Sequence, residues 1–140
     1  MTYSLLFQGY YRDEFRKLFP NSSGIYCVYR GIYNSQTRFV TLMELLYIGE
    51  TENLHQRHNE HDRRTDFLNQ LREGEILIYT YALFDGSEYD RKRLEATMVY
   101  EIQPLLNTRQ TNGFNYPPTE IILSGEKHAY LPNRIYSPSF

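Results

Sequence analysis

Six polar side chains occur in an order that could support proton transfer and metal binding. They are two tyrosines in short glycine-containing tripeptides and four residues that follow them, namely Tyr26, Tyr47, Arg57, His61, Glu95 and Asn107. A carboxylate can bind a hard cation, a guanidinium can bind two oxygens of one anion, and a phenol or imidazole can exchange a proton. Arg57 and His61 lie four positions apart, so a helix would place both on one face.

The order of these residues resembles the GIY-YIG nuclease family. The resemblance covers roughly residues 20–107 and depends on two tripeptides and three later residues: Gly24-Ile25-Tyr26, Tyr47-Ile48-Gly49, Arg57, Glu95 and Asn107. It implies an endonuclease that hydrolyses phosphodiester bonds of DNA and uses Mg²⁺ or Mn²⁺ as its cofactor. It also implies an α+β fold, an α/β sandwich in which helices flank a small three-stranded, mainly antiparallel sheet.

The resemblance further implies a role for each side chain. Glu95 would bind the metal ion, because a carboxylate oxygen suits Mg²⁺ or Mn²⁺. Arg57 would hold the scissile phosphate with its planar guanidinium. Tyr26 would act as general base or position the attacking water. A phenol with a pKa of about 10 needs stabilisation of its phenolate form for that role.

The other three residues would support this chemistry. By the same resemblance, Tyr47 would position water or phosphate, and Asn107 would brace the site through hydrogen bonds. His61 would transfer a proton or contact phosphate. His55, His58 and His61 also suggest zinc by their spacing, but three-residue steps do not converge on one helical face and the one cysteine lies far away, so we do not expect a zinc site.

Two features depart from the family's pattern. Twenty residues, 27–46, separate the tripeptides, which is more than the family usually has. A second Gly-Ile-Tyr copy ending at Tyr33 leaves 13 residues and makes Tyr33 the alternative to Tyr26. We prefer Tyr26 because a turn-forming run precedes it and a strand pattern follows it. Glu50 stands where relatives often carry Lys or Gln, and its charge would repel phosphate unless it turns outward or helps the metal.

Periodicity and turn residues predict the elements that position these residues. A short helix is expected over 10–19, strands over 25–29 and 39–48, a helix over 53–74 with a break near 64–66, and a strand over 75–84. A last helix should begin near Ser87, with Asp90 three residues later, and run to about Ile102 before Pro104. The remainder reads as an extended C-terminal arm with one strand over 120–123.

Composition bounds the class of protein. The chain has 140 residues, with 14 Tyr, 8 Phe and no Trp, enough for one core rich in aromatic area. A single cysteine, Cys27, cannot form an internal disulfide, which favours the reducing cytoplasm. No apolar stretch approaches the roughly 20 residues of a membrane span, and the N-terminus lacks signal-peptide features. We therefore expect a cytoplasmic protein without a membrane partner.

The net charge of −2 weighs against strong charge-driven binding of DNA. A local basic track could still form from Arg57, Arg63, Arg64 and the run Arg91–Arg93. We expect a GIY-YIG nuclease-like catalytic domain over residues 1–108 and a C-terminal extension over 109–140. DNA is the expected substrate, with specificity from the inserts, from a protein partner or from a homodimer. The alternative is a weak or inactive module that binds nucleic acid or protein.

Overall fold

The computed structural model of the protein describes residues 1–108, 114–127 and 130–137. Within these residues the chain forms six strands and four helical segments: β1 Thr2–Arg12, a 3-10 helix Asp13–Leu18, β2 Gly24–Asn34, β3 Phe39–Thr51, α1 Leu54–Asn59, α2 Arg64–Leu68, β4 Ile76–Leu83, α3 Glu88–Ile102, β5 Thr119–Gly125 and β6 Arg134–Ser137. None of these helices is both long enough and apolar enough to span a membrane.

The six strands form one mixed sheet in the order β3-β2-β4-β1-β5-β6, which curls into a half-barrel. β2 pairs antiparallel with β3 and β4, and β4 pairs antiparallel with β1. β1 runs parallel to β5, which pairs antiparallel with β6. The predicted α/β sandwich, with a three-stranded sheet flanked by helices and an extended C-terminal arm, is therefore wrong. The three expected strands, β2, β3 and β4, are half of a larger sheet.

β1 occupies part of the segment 10–19 for which we predicted a helix. Tyr10 packs against Tyr29 in one half of the core, with ring centroids 6.4 Å apart. Tyr11 stacks on Tyr81 in the other half, with centroids 5.5 Å apart. Neighbouring side chains that pack on opposite faces are typical of a strand. The charged residues that suggested a helix form only the 3-10 helix after β1.

β5 and β6 extend the sheet where we predicted an arm with one strand over 120–123, and β5 contains that strand. Residues 2–7 of β1 pair in register with residues 120–125 of β5. Ile121 is fully buried, whereas the adjacent Ile122 is 40% exposed. The alternation places one face of β5 in the main core.

Alternation along β2 divides the core between the two faces of the sheet. Ile25 is buried with Leu94 on the face that α3 covers. Tyr26 is buried on the other face, with Leu54 of α1 and Phe67 of α2. Helices on both faces thus approach β2 and the edge strand β3, and their polar side chains can meet there.

α3 begins and ends where the sequence predicts. The Ser87 hydroxyl accepts a hydrogen bond from the Asp90 N–H at 3.1 Å and caps the first turn. Gln103 leaves the helix with a φ of 51°, directly before Pro104. The single helix predicted over 53–74 is instead two short helices, α1 and α2, and the break falls at residues 60–63.

The burial of β5 predicts how two adjacent substitutions differ. Ile121→Ala removes a fully buried side chain and should lower the free energy of unfolding by about 2–5 kcal/mol. Ile122→Ala, at a neighbouring exposed position, should lower it by less than about 1 kcal/mol. Urea denaturation followed by circular dichroism measures both. Equal, small effects would show that β5 is not part of the core.

Candidate active site

A cavity of about 720 Å³ opens beside β3 and brings most of the predicted site residues together. Its walls come from β2, β3, the three α-helices and the segments that follow α1 and α3. Five of the six predicted residues line it: Tyr26, Tyr47, Arg57, Glu95 and Asn107. His61, the sixth, lies behind Tyr26 with a side chain only 5% exposed. Residues far apart in the chain therefore share one site.

Tyr26 is the most constrained of these side chains. The residue is 1% exposed but lines the cavity, and its hydroxyl oxygen accepts a hydrogen bond from Arg57 Nε at 3.2 Å. Tyr26 lies opposite Gly49 in the β2–β3 pair. A Cβ at Gly49 would stand 2.4 Å from Tyr26 Cζ, so only glycine leaves room for the ring. This contact joins the two tripeptides of the sequence motif.

His61 donates a hydrogen bond to Tyr26. Its Nδ1 accepts a hydrogen bond from the Arg63 N–H at 3.0 Å, so the neutral ring carries its proton on Nε2. Nε2 lies 2.7 Å from the Tyr26 hydroxyl oxygen. Burial lowers the pKa of His61 to about 3, and the charge of Arg57 contributes in the same direction. The ring is neutral near pH 7 and holds Tyr26 instead of accepting its proton.

The Tyr26 hydroxyl has an unusual electrostatic environment. Burial raises its pKa above the ordinary value, and Tyr47 and Glu95 raise it further. Arg57 opposes this shift through its charge and its hydrogen bond. The phenol is therefore protonated near pH 7. Two N–H donors already point at its oxygen, which would stabilise the phenolate if further positive charge came close.

Arg57 is positioned by the anchored start of α1. The Asn53 side chain accepts a hydrogen bond from Gln56 N–H at 3.0 Å and caps the helix. The Leu54 N–H donates to the Ser22 carbonyl at 2.8 Å, which ties α1 to the segment before β2. The Arg57 guanidinium pairs with Asp62 at 3.0 Å, but the Asp62 side chain is 74% exposed. An exposed ion pair is weak, so this partner is easily exchanged.

Asn107 and Glu95 bind the outer edge of β3. The Asn107 side chain accepts from the Ile48 N–H at 2.9 Å and donates to the Ile48 carbonyl at 2.8 Å, as a neighbouring strand would. One carboxylate oxygen of Glu95 accepts from the Glu50 N–H at 2.7 Å. These bonds fix α3 and the segment after it against β3.

Glu50 turns toward α3. Its carboxylate pairs with Arg91 Nε at 3.0 Å, and both side chains are largely buried. Its negative charge is therefore balanced by a guanidinium within the protein. The sequence left two alternatives for Glu50, a side chain that turns outward or one that helps the metal. The pairing with Arg91 does not match an outward side chain, and Glu50 lines the same cavity as Glu95.

Glu95 is the carboxylate best placed for a divalent cation. It lines the cavity beside Tyr26 and Tyr47. Among residues 1–108, 114–127 and 130–137, no three His, Cys, Asp or Glu side chains converge as a metal-binding group. A single carboxylate still fits Mg²⁺ or Mn²⁺, because these ions keep several of their water ligands. The donor set is therefore compatible with a water-rich site on Glu95.

The local basic track proposed from the sequence is only partly present. Arg57, Arg63 and Lys92 line the cavity. Arg91 pairs with Glu50, and Arg93 is buried, with Nε donating to the Thr119 hydroxyl at 2.7 Å. Arg64 also faces away, since it pairs with Asp13 at 2.7 Å.

Tyr33, the alternative to Tyr26, lies outside the cavity. It occupies the far end of β2, where the Arg12 guanidinium stands 3.9 Å from its ring centroid. It lines a separate hollow with Leu68 and Leu71. The structure thus brings Tyr26 to the other candidate residues and leaves Tyr33 apart from them.

Tyr116 and Arg63 take positions in the cavity that the sequence did not predict. Tyr116 lines the cavity from the segment before β5, which carries no motif. Arg63 donates to the Leu106 carbonyl at 3.0 Å and stands 5.6 Å from the Tyr47 ring centroid. The sequence predicted Arg63 only as part of a local basic track.

The lowered pKa of His61 predicts a pH dependence of stability. Its pKa is about 3 in the folded protein and about 6.5 in the unfolded chain, so between these values the unfolded chain binds more protons. The free energy of unfolding should therefore fall as pH drops from about 6.5 toward about 3. His61→Gln removes this contribution, while an amide can still donate to Tyr26. Denaturation at about pH 7 and about pH 5 should show a smaller fall for the variant; equal falls would contradict the neutral, buried state of His61.

Comparisons with known proteins leave the family open. No protein-family model matches the chain, and neither a curated protein nor a solved structure matches it. Membership of the GIY-YIG family is therefore an expectation that comes from the sequence motifs alone. Any assignment of function depends on the geometry around Tyr26.

Proposed function

We propose that the protein is a metal-dependent endonuclease that hydrolyses DNA phosphodiester bonds at this cavity. The observation that carries the proposal is the Tyr26 hydroxyl. It receives hydrogen bonds from Arg57 and His61 in a cavity that Glu95 also lines. The cavity thus brings together a phenol oxygen, a guanidinium and a carboxylate. Hydrolysis of a phosphodiester by water needs groups of these three kinds.

Arg57 is the residue that would bind the scissile phosphate. Its Nε is committed to Tyr26, and its terminal nitrogen pairs with the exposed Asp62. A phosphate entering the cavity can replace that exposed carboxylate on the guanidinium. The same side chain then contacts the phosphate and the phenol, which sets the distance between them.

Tyr26 would accept a proton from the attacking water. The water oxygen forms the new bond to phosphorus while its proton passes to the phenol oxygen, and the bond to the leaving oxygen of the substrate breaks. That role needs the phenolate, whose two N–H donors are already in place. Tyr47, at the same wall, would orient the water or a phosphate oxygen.

Glu95 would hold the divalent cation. Its carboxylate is oriented by the Glu50 N–H, and Asn107 keeps the adjacent part of β3 in place. A bound Mg²⁺ or Mn²⁺ supplies positive charge that offsets Glu95, favours the phenolate of Tyr26 and stabilises the charge on the phosphate. Without it, burial and Glu95 keep the phenol protonated.

A binding module with little or no activity is the second candidate. Its support is the pairing of the cavity's cations with acids, for example Arg57 with Asp62 and Arg63 with Asp66. Such pairs would weaken phosphate binding. DNA cleavage separates the two candidates.

The decisive test is cleavage of plasmid, branched and single-stranded DNA with Mg²⁺ or Mn²⁺. The wild-type protein should cleave at least one substrate, and EDTA should stop the reaction. Glu95→Gln should abolish cleavage and retain the fold, because the amide oxygen can still accept from the Glu50 N–H. If the wild type cleaves none of these substrates, the nuclease proposal is wrong and the binding module becomes the leading candidate. Cleavage that survives Glu95→Gln would contradict the assigned metal ligand.

A second test compares the two Gly-Ile-Tyr tyrosines. Tyr26→Phe should lower the cleavage rate by on the order of 10²–10⁴-fold, because it removes the proton acceptor. Tyr33→Phe is the matched control, since it removes a hydroxyl outside the cavity and should leave the rate unchanged. The cleavage rate with saturating metal measures both. A larger loss of rate from Tyr33→Phe than from Tyr26→Phe would show that the functional tyrosine is Tyr33.

A further inference from the structure

A row of aromatic rings leads from the candidate active site along α3. Tyr116 lines the cavity, and its ring centroid lies 5.5 Å from that of Tyr89 and 5.9 Å from that of Phe114. Phe114 continues the row to Tyr100 of α3 at 5.8 Å. Tyr89 is 55% exposed. We call these four residues, Tyr89, Tyr100, Phe114 and Tyr116, the aromatic row.

The cations near the row are already paired with acids. Lys92, which lines the cavity, pairs with Glu88 at 3.0 Å, and Arg63 pairs with Asp66 at 2.6 Å. Tight binding of duplex DNA depends on basic groups that neutralise phosphates. This surface therefore offers a duplex few cations, whereas the exposed Tyr89 and the half-buried rings of Tyr100, Phe114 and Tyr116 offer stacking area.

We propose that the aromatic row binds single-stranded DNA and that the enzyme's substrate carries unpaired nucleotides beside the scissile phosphate. The inference rests on the proposed nuclease function and names its substrate class. Bases of a single strand can stack on aromatic side chains, whereas the bases of a duplex are already stacked on one another. Because Tyr116 belongs both to the row and to the cavity, a strand on the row continues directly toward Tyr26 and Arg57.

Lys92 fits the same occupant. It lies one turn after Tyr89 on α3, and its side chain is 52% exposed where it meets the cavity. Both side chains of the Lys92–Glu88 pair are exposed, so a phosphate of the DNA backbone can take the place of the Glu88 carboxylate. A single strand on the row thus gains stacking along the rings and one phosphate contact at the entrance of the cavity.

The test is binding in EDTA, where no cleavage occurs. Fluorescence anisotropy compares a labelled single-stranded oligonucleotide with a duplex of the same length. The wild type should bind the single strand more tightly, with weak salt dependence because few phosphates are neutralised. Tyr89→Leu and Tyr116→Leu should each weaken this binding by about tenfold, the loss expected for one stacked base.

Two controls keep the test specific. Tyr116→Phe retains the ring and should keep wild-type affinity. Tyr136→Leu replaces a 46% exposed tyrosine on β6 and should leave binding unchanged. Tyr89 is exposed, so its replacement leaves the core intact and the variant is expected to fold. Duplex binding as tight as single-strand binding, no binding by the wild type, or unchanged affinity in both leucine variants would overturn the proposal.

The cleavage assay separates this inference from the proposed function. Loss of single-strand binding in Tyr89→Leu, with no cleavage by the wild type in Mg²⁺ or Mn²⁺, would leave the binding surface standing and remove the nuclease. If instead cleavage depends on metal and on Glu95, while Tyr89→Leu and Tyr116→Leu bind the single strand as the wild type does, the nuclease would stand and the aromatic row would be ruled out as the binding surface.

Discussion

Strand β3 forms an edge of the sheet, so the backbone groups on its outer side must find partners outside the sheet. The segment after α3 supplies them, through the Leu106 N–H to the Leu46 carbonyl and the two bonds between Asn107 and Ile48. Glu95 satisfies the Glu50 N–H. The residues that complete the edge are therefore the ones that bring a carboxylate to the cavity. The same hydrogen bonds satisfy the backbone of β3 and position the side chains of the site.

A second constraint acts within the core. The Tyr26 ring is buried, and a buried hydroxyl needs hydrogen-bond partners, which Arg57 and His61 provide. The ring also needs the space above Gly49. Packing, hydrogen bonding and charge therefore all fix the position of the Tyr26 phenol oxygen. An oxygen held in this way loses little entropy when a substrate arrives, which is the physical basis of preorganisation.

Local signals in the sequence predicted some elements and could not predict others. α3 is readable because its cap, Ser87, and its stop, Pro104, lie next to the ends of the helix. β1 was not predicted, and the strand predicted over 120–123 could not be placed in the sheet, since Thr2 meets Glu120 across 118 positions and no periodicity within either strand reports that pairing. The candidate site follows the same division. Motif spacing identified the residues around Tyr26, whereas Tyr116 reaches the cavity through the fold of the C-terminal segment, which only tertiary structure defines.

The brevity of α1 has a consequence for how the site can open. Six residues are too few for a helix to be stable alone, so α1 depends on Leu54 and on its two backbone bonds to the segment before β2. Local unfolding of that turn would cost far less than unfolding the sheet. It would carry Arg57 away from Tyr26 and leave the core strands intact. Because the proposed chemistry needs Arg57 beside Tyr26, a molecule in which this turn has opened would lack the guanidinium partner of the phenol and would not react.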